Sequence, residues 1–222
     1  MDKEDRKIIK RQIQKFCKEF ANTYDFKVHR RTFMVRNRDN LLQMIVFDFP
    51  PSSMQYIIAI QPLYFPSEDL FFNFGEDLNY FRNHEVGSWG NDIEKIEEDI
   101  IHMNMLLVKN VIPWFDEEVS SPEMLIEFIC KKNNEEAFCD SYHQELFLIF
   151  SYLYTKKYEE AKENLPETIV MAEERPFPSE SMIALLKTFL TDLDNKAYSN
   201  IENTLEGIIK KTKEDCGISK LV

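Results

Sequence analysis

Residues 26–65 read FKVHRRTFMVRNRDNLLQMIVFDFPPSSMQYIIAIQPLYF, and this stretch decides the fold. Three runs rich in β-branched and aromatic residues are separated by NRDN at residues 37–40 and by PPSS at residues 50–53. Because turns select Asn, Asp, Pro and Ser, the pattern predicts three antiparallel strands in a meander. DLFFNF at residues 69–74 is a candidate for a fourth short strand.

The first of these runs changes phase along its length. Phe26 and Val28 share one face of an extended strand, whereas Phe33 and Val35 fall on the opposite face. We therefore expect a bulge or bend near Arg30-Arg31, which would bring both pairs onto the same face.

Apolar residues at spacings of three and four predict helices before and after the strands in the sequence. One helix is expected from about residue 3 to residue 24, and a second from about residue 92 to residue 110. A short third helix is expected to follow Ser121. From about residue 134 onward the pattern is helical throughout.

The stretch VIPWFDEEVSSP at residues 111–122 is expected to form a corner between two helices. Pro113 should end the first helix, because proline lacks the N–H that the helical ladder needs. Ser121 followed by proline should start the next one, with the serine as N-cap. Trp114 and Phe115 are then expected to pack the corner against the sheet.

The C-terminal part is expected to contain two helical hairpins, with turns at residues 156–157 and 194–195. YTKKYEEAKENL at residues 154–165 resembles the turn of a tetratricopeptide-type hairpin, where an aromatic residue and a small alanine let two helices pack closely. Two hairpins are fewer than the three repeats of a free solenoid, so we expect a helical extension and not a scaffold array.

Together these patterns predict an α+β fold. Its parts are an N-terminal helix, an antiparallel meander of three to four strands, two helices and an all-helical C-terminal extension of two hairpins. The expected domains are an α+β domain at residues 1–133 and the helical extension at residues 134–222.

Charge and glycine content narrow the classes of function. The net charge is −12, yet residues 1–40 carry 12 Lys and Arg against 6 Asp and Glu, so the acidity lies in the rest of the chain. An acidic body repels nucleic acid and favours a basic protein partner. Only 5 glycines are present, which argues against the phosphate-cradling loops of nucleotide-binding folds.

The compartment is expected to be the cytoplasm. The N-terminal residues are charged and lack the apolar core of a signal peptide. No apolar run approaches the roughly 18 residues needed to cross a bilayer. The four cysteines form no CxxC pair and are interpreted as reduced, buried thiols.

Three groups of residues are candidates for binding. An acidic interaction surface is expected from the helical carboxylates Glu94, Glu97, Glu98, Asp116, Glu117 and Glu118. A basic patch is expected from Arg30, Arg31, Arg36 and Arg38. An aromatic cleft between the sheet and the helical extension would be lined by Tyr56, Tyr64, Phe72 and Trp89. The alternatives are solvated helix faces, arginines paired with the acidic C-terminal part, and a dry, filled interface.

No catalytic, metal or cofactor motif is present, so we interpret the chain as a non-enzyme that needs no cofactor. Glu98 and His102 stand at i and i+4, but HExxH is absent. A carboxylate-dependent hydrolase using Glu98, Asp116 or Glu117 with His102 stays open as an alternative. Cys139 and His143 share the same spacing and are interpreted as a buried thiol beside a histidine, not as a nucleophilic pair.

Residues 5–130 are similar to a bacterial domain-of-unknown-function family, number 4304. The resemblance rests on the order of DFKVHRRTFMVRN, LLQMIVFDF, IAIQPLYFP and VIPWFD after an opening helix. The family has glycine where this chain has Asp25. The resemblance implies an α+β fold without established catalytic residues. Some members look as though they occur near polymorphic toxins, which implies an immunity-type role.

The leading hypothesis is therefore a bacterial cytoplasmic protein-interaction module that binds a basic partner through an acidic surface and blocks it sterically. A small-molecule or peptide binder using the aromatic cleft is the alternative.

Overall fold

The computed structural model describes the chain apart from its ends and four internal stretches. The described residues are 3–48, 55–70, 75–77, 92–132 and 141–221. Within them the fold is α+β, as the sequence predicts, with an N-terminal helix, an antiparallel sheet and a helical remainder.

The sheet follows helix α1 (Lys3–Thr23) and has the order β1-β2-β3-β4-β5, a simple meander. Its strands are β1 (Lys27–His29), β2 (Phe33–Arg38), β3 (Leu41–Asp48), β4 (Gln55–Pro62) and β5 (Gly75–Asp77). The pairs β1–β2, β2–β3 and β4–β5 are antiparallel. The short strand expected at residues 69–74 is not found at residues 69 and 70, and residues 71–74 lie outside the described chain.

The remaining elements are helical. A 3₁₀ turn at Ile93–Lys95 leads into them, and they are α2 (Ile96–Leu106), a π-helical segment (Leu107–Val111), α3 (Ile112–Glu117), α4 (Pro122–Lys132), α5 (Ser141–Tyr154), α6 (Tyr158–Glu173), α7 (Glu180–Asp194) and α8 (Tyr198–Asp215).

The chain forms two compact units. The sheet unit comprises Met1–Gln61, Leu70–Ser120 and Ile218–Val222, and the helical unit comprises Pro62–Asp69 and Ser121–Gly217. The division therefore falls at residues 120 and 121, not at the expected residues 133 and 134. The difference is α4, which packs on α5 inside the helical unit. Apolar periodicity predicts a helix but does not say which neighbour its apolar face will meet.

The first predicted strand is in fact two strands, so the bulge or bend expected within it near Arg30-Arg31 is a full chain reversal. The chain reverses there: His29 pairs with Phe33, and Arg30 and Arg31 have φ values of +48° and +71°. The change of phase in the sequence marks this reversal. Arginine rarely takes positive φ, so its identity does not indicate a tight turn.

The second turn of the sheet follows the sequence closely. Asp39 and Asn40 have φ values of +47° and +60°, and Arg38 pairs directly with Leu41 across them. A two-residue hairpin loop with both φ values positive matches the right-handed twist of the strands it joins, and Asp and Asn tolerate that conformation best after glycine. The turn expected at residues 37–40 is thus confirmed.

Pro113 does not end a helix. The helical path runs from Ile96 to Glu117, and the π-helical segment ends at Val111, two residues before the proline. In that segment the N–H of Ile112 donates to the carbonyl of Leu107, five residues back. The usual ladder is already interrupted there, so the absent N–H of the proline falls where its loss is tolerated. The next helix, α4, does begin as expected, with the Ser121 hydroxyl accepting from the N–H of Met124 at 3.3 Å.

The helical unit contains two helical hairpins whose turns have the same geometry. Tyr158 begins α6 and Tyr198 begins α8, 40 residues later, and their rings stack with centroids 4.3 Å apart. Each hairpin turns at a lysine with positive φ, Lys156 at +62° and Lys196 at +54°. Each turn also has the same closing bond, which spans five residues and measures 2.8 Å. The two predicted hairpins are therefore confirmed, with the small residue Ala161 buried between helices.

Candidate functional site

The corner at residues 111–121 is joined to the sheet by a buried polar network. Its centre is Arg36 of β2, whose side chain is 5% exposed. Arg36 Nη2 donates to Asp116 Oδ1 at 2.5 Å, and Arg36 Nε donates to Gln43 Oε1 at 2.7 Å. The guanidinium also lies over the Phe26 ring, 4.7 Å from its centroid. Burial lowers the pKa of Arg36 and the Asp116 carboxylate opposes that shift, so the arginine keeps its charge.

Gln43 completes the network from the neighbouring strand β3. Its amide Nε2 donates to the carbonyl of Phe115 at 3.0 Å and to that of Val119 at 3.3 Å. These carbonyls lie at and just after the end of α3, where helix carbonyls lack partners within the helix. Gln43 is fully buried, so these hydrogen bonds are shielded from solvent. The network is a structural joint in which Arg36, Gln43 and Asp116 each bond to a partner within the protein.

The corner therefore differs from the expectation at Asp116 as well as at Pro113. Trp114 and Phe115 are buried at 8% and 0% exposure, as predicted. Asp116 does not simply face water, because it carries the ion pair to Arg36.

The predicted basic patch is not assembled. Arg36 is buried in the joint, and Arg38 pairs with Asp25 at 3.2 Å, so both arginines find acids inside the sheet unit. Arg30 and Arg31 are exposed in the β1–β2 turn. The four arginines that the sequence pattern grouped together are thus separate. Arg36 lies in the buried joint, Arg38 forms a surface ion pair, and the other two lie in a turn.

The predicted aromatic cleft is contradicted by Tyr64, the one of its four predicted residues whose side chain the structure describes. Tyr64 is fully buried in the helical unit, its ring stacks on Tyr154 at 4.4 Å, and its hydroxyl lies 2.9 Å from Ser151 Oγ. Tyr64 is therefore a core residue and not a cleft wall. Phe72 and Trp89 lie outside the described residues, and so does the side chain of Tyr56.

The six predicted acidic residues form two groups. Glu94, Glu97 and Glu98 are exposed at the N-terminal end of α2, whereas Asp116, Glu117 and Glu118 lie at the far end of the same helical path. The 20 residues from Glu97 to Glu117 span about 30 Å at 1.5 Å per residue. The groups cannot act as one surface, and only the first has no ion pair among the described residues.

Two exposed apolar residues follow the glutamates on the same side of α2. Ile101 is 69% exposed and Met105 is 52% exposed, and both lie opposite the buried residues Ile96, Met103 and Leu106. A helix on a protein surface ordinarily has polar residues at these positions. We call this surface the α2 face. Its members are Glu94, Glu97, Glu98, Ile101 and Met105.

The residues named for a carboxylate-dependent hydrolase do not converge. Glu98 and His102 lie near the start of the helical path, and Asp116 and Glu117 lie near its end. Among the described residues, no three His, Cys, Asp or Glu side chains are grouped closely enough to hold a metal ion.

The thiols are not all buried, contrary to expectation. Cys17 and Cys216 are buried, and burial raises the pKa of Cys17 to about 12. Cys130 is exposed, with its sulfur 3.9 Å from the Tyr152 hydroxyl oxygen. Cys139 lies outside the described residues.

Two small concave surfaces lie among the described residues. A depression of about 250 Å³ in the helical unit lies between the start of α7 and the end of α8, beside Ser67 and Glu68. Another, of about 170 Å³, lies beside Lys27 and Asn37 in the sheet unit. Both fall below the roughly 300–1,000 Å³ typical of small-molecule sites. Neither was indicated by the sequence, since residues that line a shallow depression share no pattern.

Comparisons with protein-family models, curated proteins and solved structures found no match to this chain. In the part of the chain that the structure describes, no helix combines the length and apolar character required to span a bilayer.

Proposed function

We propose that this chain is a protein-interaction module whose α2 face binds a basic protein partner and blocks it sterically. The observation that carries the proposal is the exposure of Ile101 and Met105 directly beyond three exposed glutamates that form no ion pair among the described residues. Exposed apolar side chains that adjoin one another beside charged residues are typical of surfaces that a partner covers.

The two apolar residues would supply the affinity. Complete burial of an Ile or Met side chain contributes roughly 1.5–3 kcal/mol, and part of that remains to be gained here because both side chains are more than half exposed. A partner covering them would also exclude water from the neighbouring carboxylates, which strengthens their interaction with cations.

The glutamates would supply selection for a basic partner. Glu94, Glu97 and Glu98 are exposed and form no ion pair among the described residues. Complementary charges of this kind raise the rate of encounter and reject acidic partners. Binding through them weakens as salt is added, since exposed charges are screened over about 10 Å at 0.1 M salt.

We further propose an immunity-type role in a bacterial cytoplasm, as the resemblance to family 4304 implies. One geometric feature supports that resemblance. Asp25 stands where the family has glycine, and its φ of +59° lies in the left-handed region that glycine favours. Asp25 follows α1 at a helix end closed by a bond from the N–H of Phe26 to the carbonyl of Ala21 at 3.0 Å, an arrangement that ordinarily uses glycine.

The test uses the full chain as bait for basic proteins at low ionic strength. A double variant, Ile101→Ser with Met105→Ser, should lose the retained partner, because it removes the apolar part of the α2 face. A second variant, Glu97→Lys with Glu98→Lys, should weaken binding at low salt more than at high salt.

Ile8→Ser is the matched control. Ile8 is also an exposed apolar residue of the sheet unit, at 40% exposure, but it lies on α1. The control should bind as the wild type does. Binding that resists salt, or that survives both α2 variants, would contradict the proposal.

A further inference from the structure

The helical unit displays one phenylalanine almost completely. Phe177 is 93% exposed in the connection between α6 and α7, which reads ERPFPS at residues 174–179. It is the most exposed of the large apolar residues described. We propose that Phe177 is an anchor that inserts into an apolar, basic-rimmed pocket on a partner protein, forming a second interaction surface carried by the helical unit.

The connection holds Phe177 in a restricted conformation. Pro176 and Pro178 flank it directly, and each proline fixes its own φ near −65°. Residues that precede a proline are also restricted, so Arg175 and Phe177 are limited as well. A restricted segment loses little conformational entropy when it binds, and that loss is a principal cost of association.

Both ends of the connection are held by the helical unit itself. At the α6 end, the N–H of Glu174 donates to the carbonyl of Val170 at 3.0 Å. The guanidinium of Arg175 lies 4.5 Å from the centroid of the Tyr142 ring on α5. At the α7 end, the Ser179 hydroxyl accepts from the N–H of Met182 at 3.4 Å as the N-cap. The segment that projects is therefore short.

The charges around Phe177 indicate the rim of the partner's pocket. Glu174 and Glu180 are exposed on either side of it and form no ion pair among the described residues. The nearby cations are engaged, Arg175 with Tyr142 and Lys187 with Glu173 at 2.6 Å. The helical unit as a whole has 11 Lys and Arg against 21 Asp and Glu, a net charge of −10. A partner covering Phe177 must place positive charge against these carboxylates.

The same charges disfavour two other occupants. An anionic membrane surface attracts basic segments, and the acids beside Phe177 would be repelled from it. A second copy of this chain would bring identical glutamates together around the contact, which is unfavourable in a symmetric dimer. An aromatic anchor in a pocket on a basic protein meets neither objection.

The experiment places a photo-crosslinking residue at the anchor. The full chain with Phe177→p-benzoylphenylalanine is irradiated in a bacterial lysate, beside a control with the same residue at Val170, which is 50% exposed on α6. The expected result is a protein crosslinked at position 177 and absent at position 170. That protein is then purified and its affinity for the chain is measured.

Two variants decide whether the captured protein binds as proposed. Phe177→Ala should weaken its affinity at least about tenfold, as truncation of an interface hot spot does, whereas Val170→Ala should not. Glu174→Lys with Glu180→Lys should weaken binding most at low salt. The melting temperature of Phe177→Ala should stay within about 2 °C of the wild type, because an exposed side chain contributes little to folding.

Four outcomes would overturn the inference. They are absence of a position-specific crosslink, an unchanged affinity of Phe177→Ala, crosslinking to a second copy, and co-sedimentation with phosphatidylserine vesicles that Phe177→Ala abolishes. The result is independent of the α2 face, because Ile101→Ser with Met105→Ser leaves the helical unit unaltered. Loss of partner binding in one pair of variants and not in the other identifies which surface has been misassigned.

Discussion

The two ends of the helical path from Ile96 to Glu117 carry similar runs of acids with different roles. At the first end, Glu97 and Glu98 project into water beside exposed apolar side chains. At the other end, Asp116 pairs with Arg36, and Gln43 bonds the carbonyls that follow. The difference shows that a run of carboxylates has no role of its own. Its role depends on whether another element brings a buried cation to it.

The largest effect on stability is expected at the C-terminal end of the helical path, next to Asp116. Trp114→Ala should reduce the free energy of unfolding by about 3–5 kcal/mol, because it removes a large buried aromatic side chain and leaves a cavity. Urea denaturation followed by circular dichroism measures the change. Glu117→Ala, at an exposed neighbour, is the control and should fall within about 0.5 kcal/mol of the wild type. Equal stability of the two variants would show that the corner is not packed as described.

A smaller loss is expected from the network itself. Arg36→Ala should cost about 2–4 kcal/mol, since it leaves the buried Gln43 carbonyl oxygen and Asp116 without their donor. Arg36→Lys should recover little, because an ammonium group cannot reproduce the planar fork that reaches both acceptors. The same denaturation experiment measures both variants.

Arg38→Ala is the matched control for that substitution. Arg38 also lies on β2 and also pairs with an acid, but its side chain is 44% exposed. Surface pairs contribute at most about 1 kcal/mol, so the control should lose much less stability than Arg36→Ala. A loss equal to that of Arg36→Ala would show that burial is not what distinguishes the two arginines.

The smallest effect on stability is expected at the N-terminal end of the helical path, at Glu97 and Glu98. Glu97→Lys with Glu98→Lys should change the free energy of unfolding by less than about 1 kcal/mol, because neither carboxylate has an ion pair to lose among the described residues. The interaction of these exposed charges with the first turn of α2 is screened by salt, so the denaturation is carried out at about 0.15 M salt or above. Destabilisation as large as that of Arg36→Ala would contradict the separation of the two ends.

Where local chemistry decides the conformation, the sequence predicts the fold well. Asp39-Asn40 forms a hairpin turn because both residues tolerate positive φ, and the Ser121 N-cap is satisfied by its own hydroxyl. The turn at Lys156 lies within the predicted residues 156–157, and the turn at Lys196 lies just after the predicted residues 194–195, although lysine does not favour their left-handed conformation. There the helical periodicity on both sides determined the position of the turn.

Where partners come from distant segments, sequence pattern is insufficient. It grouped four arginines that the structure separates, and it joined acids that lie about 30 Å apart. It assigned Tyr64 to a cleft although that residue stacks inside the helical unit. It also missed Phe177, because one phenylalanine between prolines has no periodicity and its exposure depends on how α6 and α7 are placed.

The sequence by itself determined the α+β class, the antiparallel meander, the start of α4 and the two C-terminal hairpins. These depend on side-chain period, on caps and on turn residues, which act within a few positions of the chain. Only the tertiary structure decided that β1 and β2 are separate strands, that the helix passes Pro113, and that Arg36 is buried while Ile101 is exposed. The physical reason is that burial and pairing are properties of neighbours in space, and Arg36 and Asp116 are neighbours across 80 residues of chain.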